Sequence, residues 1–575
     1  MSWPYQFIDL DDEQKQERRH TLDRYGLIAQ LSVLVPIGLV LLYRLIKWTL
    51  AKASGSRSGR GTYSAVPGSP TLKHRRLKPT GSWKTRGRKL AWWLGDDFVV
   101  FGWNLGSRDT VIGGAIWTVW LLVLCVLETG DDYLHLTKRF GIVAVSQFPV
   151  QYIMSFKFLN PVALALGSSH EDVNRWHRAL GGVIYVFVAL HGLFYLNFYY
   201  QKDLLTQKST ELVPVLGFLT FVAMHFLYGT ALSAVRQYSY RIFFITHLLV
   251  ALAIPPVIYF HAHHASFYVW ESLFIFFAEI MTRRATLIVA DTKVELIPES
   301  DLVKLVGNIP ATKIGRFAKS PGTHIYLSVP AASRPEKNPA AAAHLVFEFA
   351  FNPFSVAAAD ESSGELTLIA RRHNGPMTRA FSEFALDTAD NNPTVKLAFD
   401  GPYGCAKRFP NLAGPAFDRI LLVAGGVGAT FTVPLYRWIL SENPTARVQM
   451  VWAVRAAGDA TWPVPVPVPV PGGGKSIIED ENIQLYLTGT KSEDSDDDAR
   501  TISDNVELDS FNSSNNKGRP NLQKLVDDVF RQGMEERVAV LVCGPEAMAR
   551  ELRCHVGVWV RKGRSVWWHN ESFAW

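Results

Sequence analysis

Cysteine is scarce: four in 575 residues, Cys125, Cys405, Cys543 and Cys554. None forms a C-x-x-C pair, which excludes a disulfide framework and a zinc site of the usual spacing. The first 25 residues lack an apolar run; they are polar and charged, so no cleavable signal peptide is expected. Acidic residues are outnumbered, 52 against 59 Lys and Arg, for a net charge of +7. The excess is uneven. Much of it lies between residues 47 and 108, in a stretch such as LKHRRLKPTGSWKTRGRKL. Beside apolar spans, such a run marks a cytoplasmic loop more simply than a nucleic-acid site.

Apolar and aromatic residues are abundant, at 48% and 12% of the chain, with 17 Trp and 34 Phe. They form long runs in the first half, while the second half reads as a soluble α/β protein. A bilayer crossing takes about 20 apolar residues. Seven segments qualify, near 27–48, 110–128, 140–166, 179–200, 212–234, 242–261 and 265–282. Lys157 and Pro161 interrupt the third, and the last carries Glu271 and Glu279. Placing the basic 49–108 loop inside puts the N-terminus outside. The loops near 167–178 and 235–241, with Arg175, Arg178, Arg236 and Arg241, then fall inside, and everything after about 285 is cytosolic. Two Asn-x-Ser sequons, at Asn512 and Asn570, lie in that cytosolic part and are expected to stay unused; the loops placed outside contain none.

The fourth and sixth spans each carry two histidines 14 residues apart, His177 with His191 and His247 with His261. That spacing is about 21 Å along a helix and close to four turns, so both members face the same way. Both spans run from inside to outside. His177 therefore matches His247 near the cytoplasmic face, and His191 matches His261 near the outer face. Imidazole is a common axial ligand of haem iron, and polar groups at membrane depth are costly and tend to be functional. The pattern points to two haems at two depths. A helix–helix hydrogen bond is the plainer role for a lone membrane histidine and suits His225. His263 and His264 rival His261 for the outer site but break the spacing. Arg178 and Arg241, near the inner ligands, suit haem propionates and the ordinary positive-inside bias equally.

Residues 286–402 read as short strands, TLIVADTKVELIP, THIYLSVP, HLVFEFA, ELTLIARR and TVKLAF, separated by turn residues. They suggest a small antiparallel barrel. Residues 417–575 alternate strand and helix, which suggests a parallel sheet. Its strands are DRILLVA, RVQMVWAV, IQLYLTG and RVAVLVCG. The run PVPVPVPVPGGG (463–474) is expected to be extended or flexible, and the acidic, Ser- and Asn-rich 491–520 disordered.

After DRILLVA comes Gly425-Gly426-Val427-Gly428-Ala429-Thr430. Glycines there let the backbone approach a pyrophosphate, and the following helix offers free N–H groups; tight strand–helix packing is the plainer alternative. Gly401-Pro402-Tyr403-Gly404 upstream and Cys543-Gly544-Pro545 downstream add weight. Asn352-Pro353-Phe354-Ser355 and Arg371-Arg372-His373-Asn374-Gly375-Pro376-Met377-Thr378 together offer an aromatic surface, hydrogen-bonding groups and a phosphate turn for a flavin. Glu571-Ser572-Phe573-Ala574-Trp575 ends the chain with aromatics that either plug a core or cover a flavin ring. Arg455, after the second strand of the nucleotide region, suits the 2′-phosphate of NADPH or plain solvation equally.

Over about residues 110–575 these motifs resemble the ferric reductase family of fungal plasma membranes, relatives of the NADPH oxidases. The resemblance implies a six-helix core holding two b-type haems through His177, His191, His247 and His261. It implies a barrel binding FAD through Asn352, Pro353, Phe354, Ser355, Gly375 and Thr378. Asn352 departs from the family's His-Pro-Phe-Thr/Ser; asparagine still donates a hydrogen bond. NADPH is implied at Gly401, Pro402, Tyr403, Gly404, Gly425, Gly426, Gly428, Thr430, Cys543, Gly544 and Pro545. Phe573 and Trp575 match the family's terminal Glu-x-Phe-x-Trp.

The fold expected is a membrane α-helical bundle of seven spans followed by a ferredoxin-reductase-like module. Its parts are 1–108 (first span and basic loop), 109–284 (haem domain), 285–405 (FAD barrel) and 406–575 (NAD(P)-binding α/β domain). Electrons are expected to run from cytosolic NADPH to FAD, to the His177/His247 haem, to the His191/His261 haem, and out to Fe(III) or Cu(II) chelates. No side-chain acid or base is expected to be catalytic for the haem steps. The implied setting is the plasma membrane, with the vacuolar membrane as the alternative. Lipid and metal permeases are the implied partners, and nucleic acid is not. An NADPH oxidase making superoxide would use the same core. A metal or haem transporter, or a scaffold with a degenerate flavin domain, is the reading from another class that Asn352 keeps open.

Overall fold

The computed structural model describes residues 4–57, 82–334, 352–373, 375–388, 394–404, 406–463, 480–489, 516–533 and 535–572. The chain divides into two compact units. One comprises residues 1–75 and 93–285; the other comprises residues 76–92 and 286–574.

The first unit is helical. Helix α1 (Asp12–Leu31) starts at a capping box, in which Asp11 accepts from the Gln14 N–H and the Gln14 side chain bonds back to the Asp11 N–H. Helix α2 (Leu34–Arg57) continues it after a short break. After α3 (Ser82–Leu94), which lies in the second unit up to Trp92, come α4 (Arg108–Val126), α5 (Tyr133–Ser146), α6 (Phe148–Met154), α7 (Pro161–Leu166) and α8 (His170–Gln201). The last three helices used below are α9 (Leu212–Ala231), α10 (Tyr240–His261) and α11 (Ser266–Thr286).

Among the described residues six helices, not seven, are long and apolar enough to cross a membrane. The expected span at 140–166 is broken into α5, α6 and α7. The breaks have local causes. Pro149 and Pro161 each stand in the first turn of a new helix, where their missing N–H costs nothing. Asn160 caps both sides of the second break: its Oδ1 accepts from the Ala163 N–H at 2.9 Å, and its amide donates to the Phe156 carbonyl at 2.9 Å. By contrast, α10 runs on through Pro255 and Pro256. Pro255 deprives the Ala251 carbonyl of its helix donor, and the Tyr152 hydroxyl of α6 supplies the replacement.

The second unit contains a closed antiparallel barrel. Its strands are β1 (Ile288–Leu296), β2 (Leu302–Asn308), β3 (His324–Ser328), β4 (Asn352–Ala359), β5 (Glu365–Arg371) and β6 (Val395–Tyr403), in the order β1-β2-β5-β4-β3-β6. Helix α12 (Pro376–Thr388) lies between β5 and β6 in sequence and buries Met377, Ala380 and Phe381 in the barrel core. The segment HLVFEFA lies outside the described residues, and LVKLVGN, not singled out from the sequence, forms β2.

The remainder is a parallel sheet of β7 (Arg419–Gly425), β8 (Val448–Val454), β9 (Ile483–Leu487), β10 (Asn516–Lys517), β11 (Arg537–Cys543) and β12 (Ser565–Glu571). The order is β10-β9-β8-β7-β11-β12. Three helices belong to it, α13 (Ala429–Glu442), α14 (Leu522–Arg531) and α15 (Glu546–Arg561). Apart from Pro463 and residues 516–520, the insertions expected at 463–474 and 491–520 lie outside the described residues.

The basic stretch after the first span is more than a loop. From α3, Trp92 packs edge-on to Trp568 of β12 at 5.9 Å. The Arg553 guanidinium of α15 lies 4.3 Å over the Trp92 ring and donates to the Trp92 carbonyl at 3.0 Å. A Cβ at Gly557 would stand 2.8 Å from the Trp92 indole nitrogen, so only glycine admits the ring there.

Candidate functional site

Two sites emerge, one in each unit. In the first, α8 and α10 bring His177 to His247 with ring centroids 6.1 Å apart, and His191 to His261 at 6.3 Å. A metal gripped between two ring nitrogens needs such a gap: two bonds of about 2 Å and about 1 Å from each nitrogen to its ring centre, roughly 6 Å in all.

Neighbouring backbone fixes three of these rings. The Nδ1–H groups of His177, His191 and His261 donate to the carbonyls of Gln151, Thr137 and Val213 at 3.0, 2.8 and 2.8 Å. Holding the proton on Nδ1 leaves the Nε2 lone pair as the ligating group; in His177 that atom lies 3.3 Å from the Gln151 amide nitrogen, which would have to yield to a metal.

The rings of His191 and His261 are admitted by one device. A helical carbonyl points toward residue i+4, so a ring reaching the Thr137 carbonyl must pass over residue 141, and one reaching Val213 must pass over residue 217. Both are glycine. A Cβ at Gly141 would stand 2.7 Å from His191 Nδ1, and one at Gly217 would stand 2.5 Å from His261 Cε1. The ring of His177 needs no glycine, because Gln151 lies in the last turn of α6, where carbonyls have lost their helix donors. The Gln151 amide also donates to the His177 carbonyl at 2.9 Å.

Thr137, Gly141, Gln151, Val213 and Gly217 were missed from the sequence. Single glycines inside apolar helices were the available signal. His225 bonds the Phe221 carbonyl on its own helix at 2.7 Å, an intrahelical contact. His264 pairs with Asp23 at 2.9 Å.

The second site lies at the carboxyl ends of the parallel strands. Sequence-adjacent β7 and β8 pair on one side, while β11 pairs with β7 on the other, so strand order reverses between β7 and β11. Ligands bind such sheets at that crevice. Gly425–Thr430 leaves β7 there, and Cys543-Gly544-Pro545 leaves β11. The two turns interlock through absent side chains. A Cβ at Gly428 would stand 2.1 Å from the Cys543 carbonyl oxygen, and one at Gly544 would stand 2.9 Å from the Gly425 nitrogen. Gly426 has φ +55°, which favours glycine. Thr430 is buried, and its hydroxyl donates to the Val427 carbonyl at 2.8 Å.

Cys543 is matched in register with Glu571 on β12. Burial, and then the charge of Glu571, push the Cys543 thiol up from its ordinary range. Glu571 is flanked by His569 at 2.8 Å and His324 at 3.9 Å. Neither histidine stands in a motif that marks it from sequence. Phe573 and Trp575 lie outside the described residues.

In the barrel, Asn352-Pro353-Phe354-Ser355 opens β4, with Asn352 exposed and Ser355 buried opposite His324. Phe354 packs on Phe381 at 6.0 Å. Thr378 closes the first turn of α12: its hydroxyl donates to the His373 carbonyl at 2.6 Å, and Gly375 sits beside it. Gly401-Pro402-Tyr403 completes β6, and Tyr403 donates to Asp400 at 2.6 Å. Gly404 follows with φ +105°. Arg455 and Arg371 line a cavity of about 280 Å³ with Glu299, Asp301 and Asp459.

Comparison with known proteins bears on both sites. Residues 140–258 match the model described as "Ferric reductase like transmembrane component", and 417–556 match "Ferric reductase NAD binding domain". The chain is 23% identical over 483 residues to "Ferric/cupric reductase transmembrane component 2" of Schizosaccharomyces pombe, covering 76% of this chain and 80% of that protein. It is 23% identical over 524 residues to "Probable metalloreductase AIM14" of Scheffersomyces stipitis, covering 86% and 90%. Among solved structures, the cytochrome P450 reductase GcoB of Amycolatopsis is similar with a TM-score of 0.30 and 17% identity, covering 50% of this chain and 70% of that one. The transmembrane match spans most of the two histidine helices and the nucleotide-domain match spans the interlocked turns, so along both sites the chain is similar to fungal ferric reductases.

Proposed function

We propose that this multi-pass membrane protein takes reducing equivalents from NADPH on one side and reduces Fe(III) or Cu(II) chelates on the other, through FAD and two b-type haems. The observation that carries the reading is the pair of histidine gates, 6.1 and 6.3 Å wide, on α8 and α10. When bound, NADPH supplies a hydride, FAD divides it into single electrons, and the haems carry these across the lipid to the metal chelate, which is the substrate.

His177 and His247 would hold one haem iron, and His191 and His261 the other. The Thr137, Val213 and Gln151 carbonyls fix three of those rings so that no reorganisation accompanies electron arrival. Asn352, Pro353, Phe354 and Ser355 would line the flavin, with Gly375 and Thr378 at its phosphates. The Gly401–Gly404 segment would adjoin the nicotinamide, and the interlocked Gly425–Thr430 and Cys543–Pro545 turns would take the pyrophosphate. Phe573 and Trp575 would cover the flavin ring. Arg455, beside the cavity it shares with Arg371, would read the 2′-phosphate that distinguishes NADPH from NADH. The plasma membrane is the setting that fits an external chelate, with metal permeases consuming the reduced ion. An inside-negative potential favours outward electron flow by about 2.3 kcal/mol per 100 mV for a full crossing.

The test is a spectrum of the purified protein before and after NADPH, with cofactors counted. Two haems per chain and one FAD, reduced by NADPH, are expected. His191→Ala should remove the outer haem and stop chelate reduction while flavin reduction persists. A flavin-loaded preparation without Soret absorption would overturn the reading.

A further inference from the structure

Three of the four gate histidines are anchored; the fourth is not. The Nδ1 atom of His247 is buried, and no partner reaches it among the described residues. Its ring meets Phe243 at 5.3 Å and His177 at 6.1 Å. Neither serves as its acceptor: Phe243 has none, and the one acceptor of His177, Nε2, faces the Gln151 amide nitrogen at 3.3 Å and is the atom reserved for the iron. Nor is there an opened helix beside His247 of the kind that Gly141 and Gly217 provide for the outer rings. The asymmetry therefore lies in the backbone as well as in one rotamer.

A metal-bound imidazole that donates its second N–H becomes a more basic ligand, and losing that bond typically costs 10–100-fold in metal affinity. We infer that His247 is the weak axial ligand, making the inner iron both the more labile and the more easily reduced of the two. This rests on the haem reading above.

The direction follows from charge. Two anchored imidazoles push electron density onto the outer iron and favour its oxidised form. At the inner iron only His177 does so, and the reduced form is relatively favoured. The chain thus makes electron entry into the membrane unit easier and the step between the gates harder. An inside-negative membrane potential assists that second step. His247 is a positioning residue here: the lack of an anchor on its ring acts through the iron it would hold.

Carbon monoxide tests this, because it binds a six-coordinate ferrous haem only when an axial histidine leaves: the iron–Nε2 bond breaks, the iron–carbon bond forms, and no electron moves. The dithionite-reduced full-length holoprotein is titrated with carbon monoxide and followed at the Soret band. Half the amplitude should shift at 10–100-fold lower gas concentration than the rest. In the double variant His191→Ala/His261→Ala, which should lose the outer haem, the surviving haem should keep the sensitive phase. A single phase in the wild type, or a sensitive phase that vanishes with the outer haem, overturns the inference. If the double variant loses all haem, a redox titration of the wild type decides. The sensitive half must be the half reduced at the higher potential, and the reverse order overturns the inference. Absence of any Soret band would instead defeat the haem reading itself.

Discussion

The two units differ in what approaches their glycines most closely. In the membrane unit, the closest approaches over glycine are made by rings: Trp176 over Gly113, Phe221 over Gly192, His191 over Gly141 and His261 over Gly217. In the second unit side chains also approach, as Phe399 does over Gly307, but some of the tightest approaches are made by backbone: the Cys543 carbonyl over Gly428, the Glu299 carbonyl over Gly458 and the Arg455 carbonyl over Gly489. The difference follows from the solvent. Helices in lipid gain nothing from burying apolar surface against each other, so specific contacts need small residues that let a neighbour in. A sheet in water is already driven together by its apolar side chains, and glycines such as Gly428 serve the turns where two chain segments must touch. Burial tells the same story. Every residue of β11 from Val538 to Cys543 is buried, whereas α9 buries only Thr220 and Met224.

The largest expected effect comes from adding a methyl group where only backbone can yield. Gly428→Ala places a Cβ against the Cys543 carbonyl and pushes the two nucleotide turns apart. A shift of about 1 Å at a reacting centre costs about 100-fold in rate, so NADPH oxidation with a soluble dye acceptor should fall by about that factor. The haem spectrum should be unchanged. The next effect is its counterpart in the membrane. Gly217→Ala sets a Cβ against a side chain that can swing away, so the fold should survive while His261 leaves the Val213 carbonyl. About half of the haem absorbance should be lost or shifted, and dye-linked NADPH oxidation should persist. If either variant impaired both readouts alike, the two units would not be independent in the way their packing implies.

Much of this was legible in the sequence because its signals are periodic. A 14-residue histidine spacing survives any packing detail, and strand–glycine–helix order marks a nucleotide edge without knowledge of its neighbours. What stayed hidden was relational. Nothing local tells that Gly141 serves His191, 50 residues later, or that Gly217 serves His261. His324 and His569 flank Glu571 only because β3 and β12 converge on it. The span expected at 140–166 misled because hydropathy counts apolar residues: Pro161 stood out as an interruption but not as a helix start, and Pro149, which also restarts the helix, passed unnoticed. Trp92 sits in a basic run whose charge dominated the reading, and its aromatic face finds Arg553 and Trp568 across more than 460 positions.

That contact gives a smaller prediction. A buried Trp→Ala change costs about 3–5 kcal/mol, and Trp92 is only partly buried. Trp92→Ala should therefore lower the stability of the second unit by about 2 kcal/mol, read as an earlier thermal release of bound flavin. No effect on that transition would mean that α3 merely rests on the sheet.

The smallest effect should come from a large residue whose loss would be severe in water. Phe226 on α9 is 63% exposed, and Phe381 in the barrel is fully buried. Phe381→Ala should cost the usual 3–5 kcal/mol of a vacated aromatic core site. Phe226→Ala removes as much apolar surface, but that surface faces lipid before and after the helices assemble, so almost none of its transfer energy enters the balance of folding. Haem retention on heating in detergent should change by less than about 0.5 kcal/mol, the ordinary range for a surface substitution. A loss comparable to that at Phe381 would mean that α9 has a protein partner on this face, and the rule separating the two units would then hold only for the rest of the bundle.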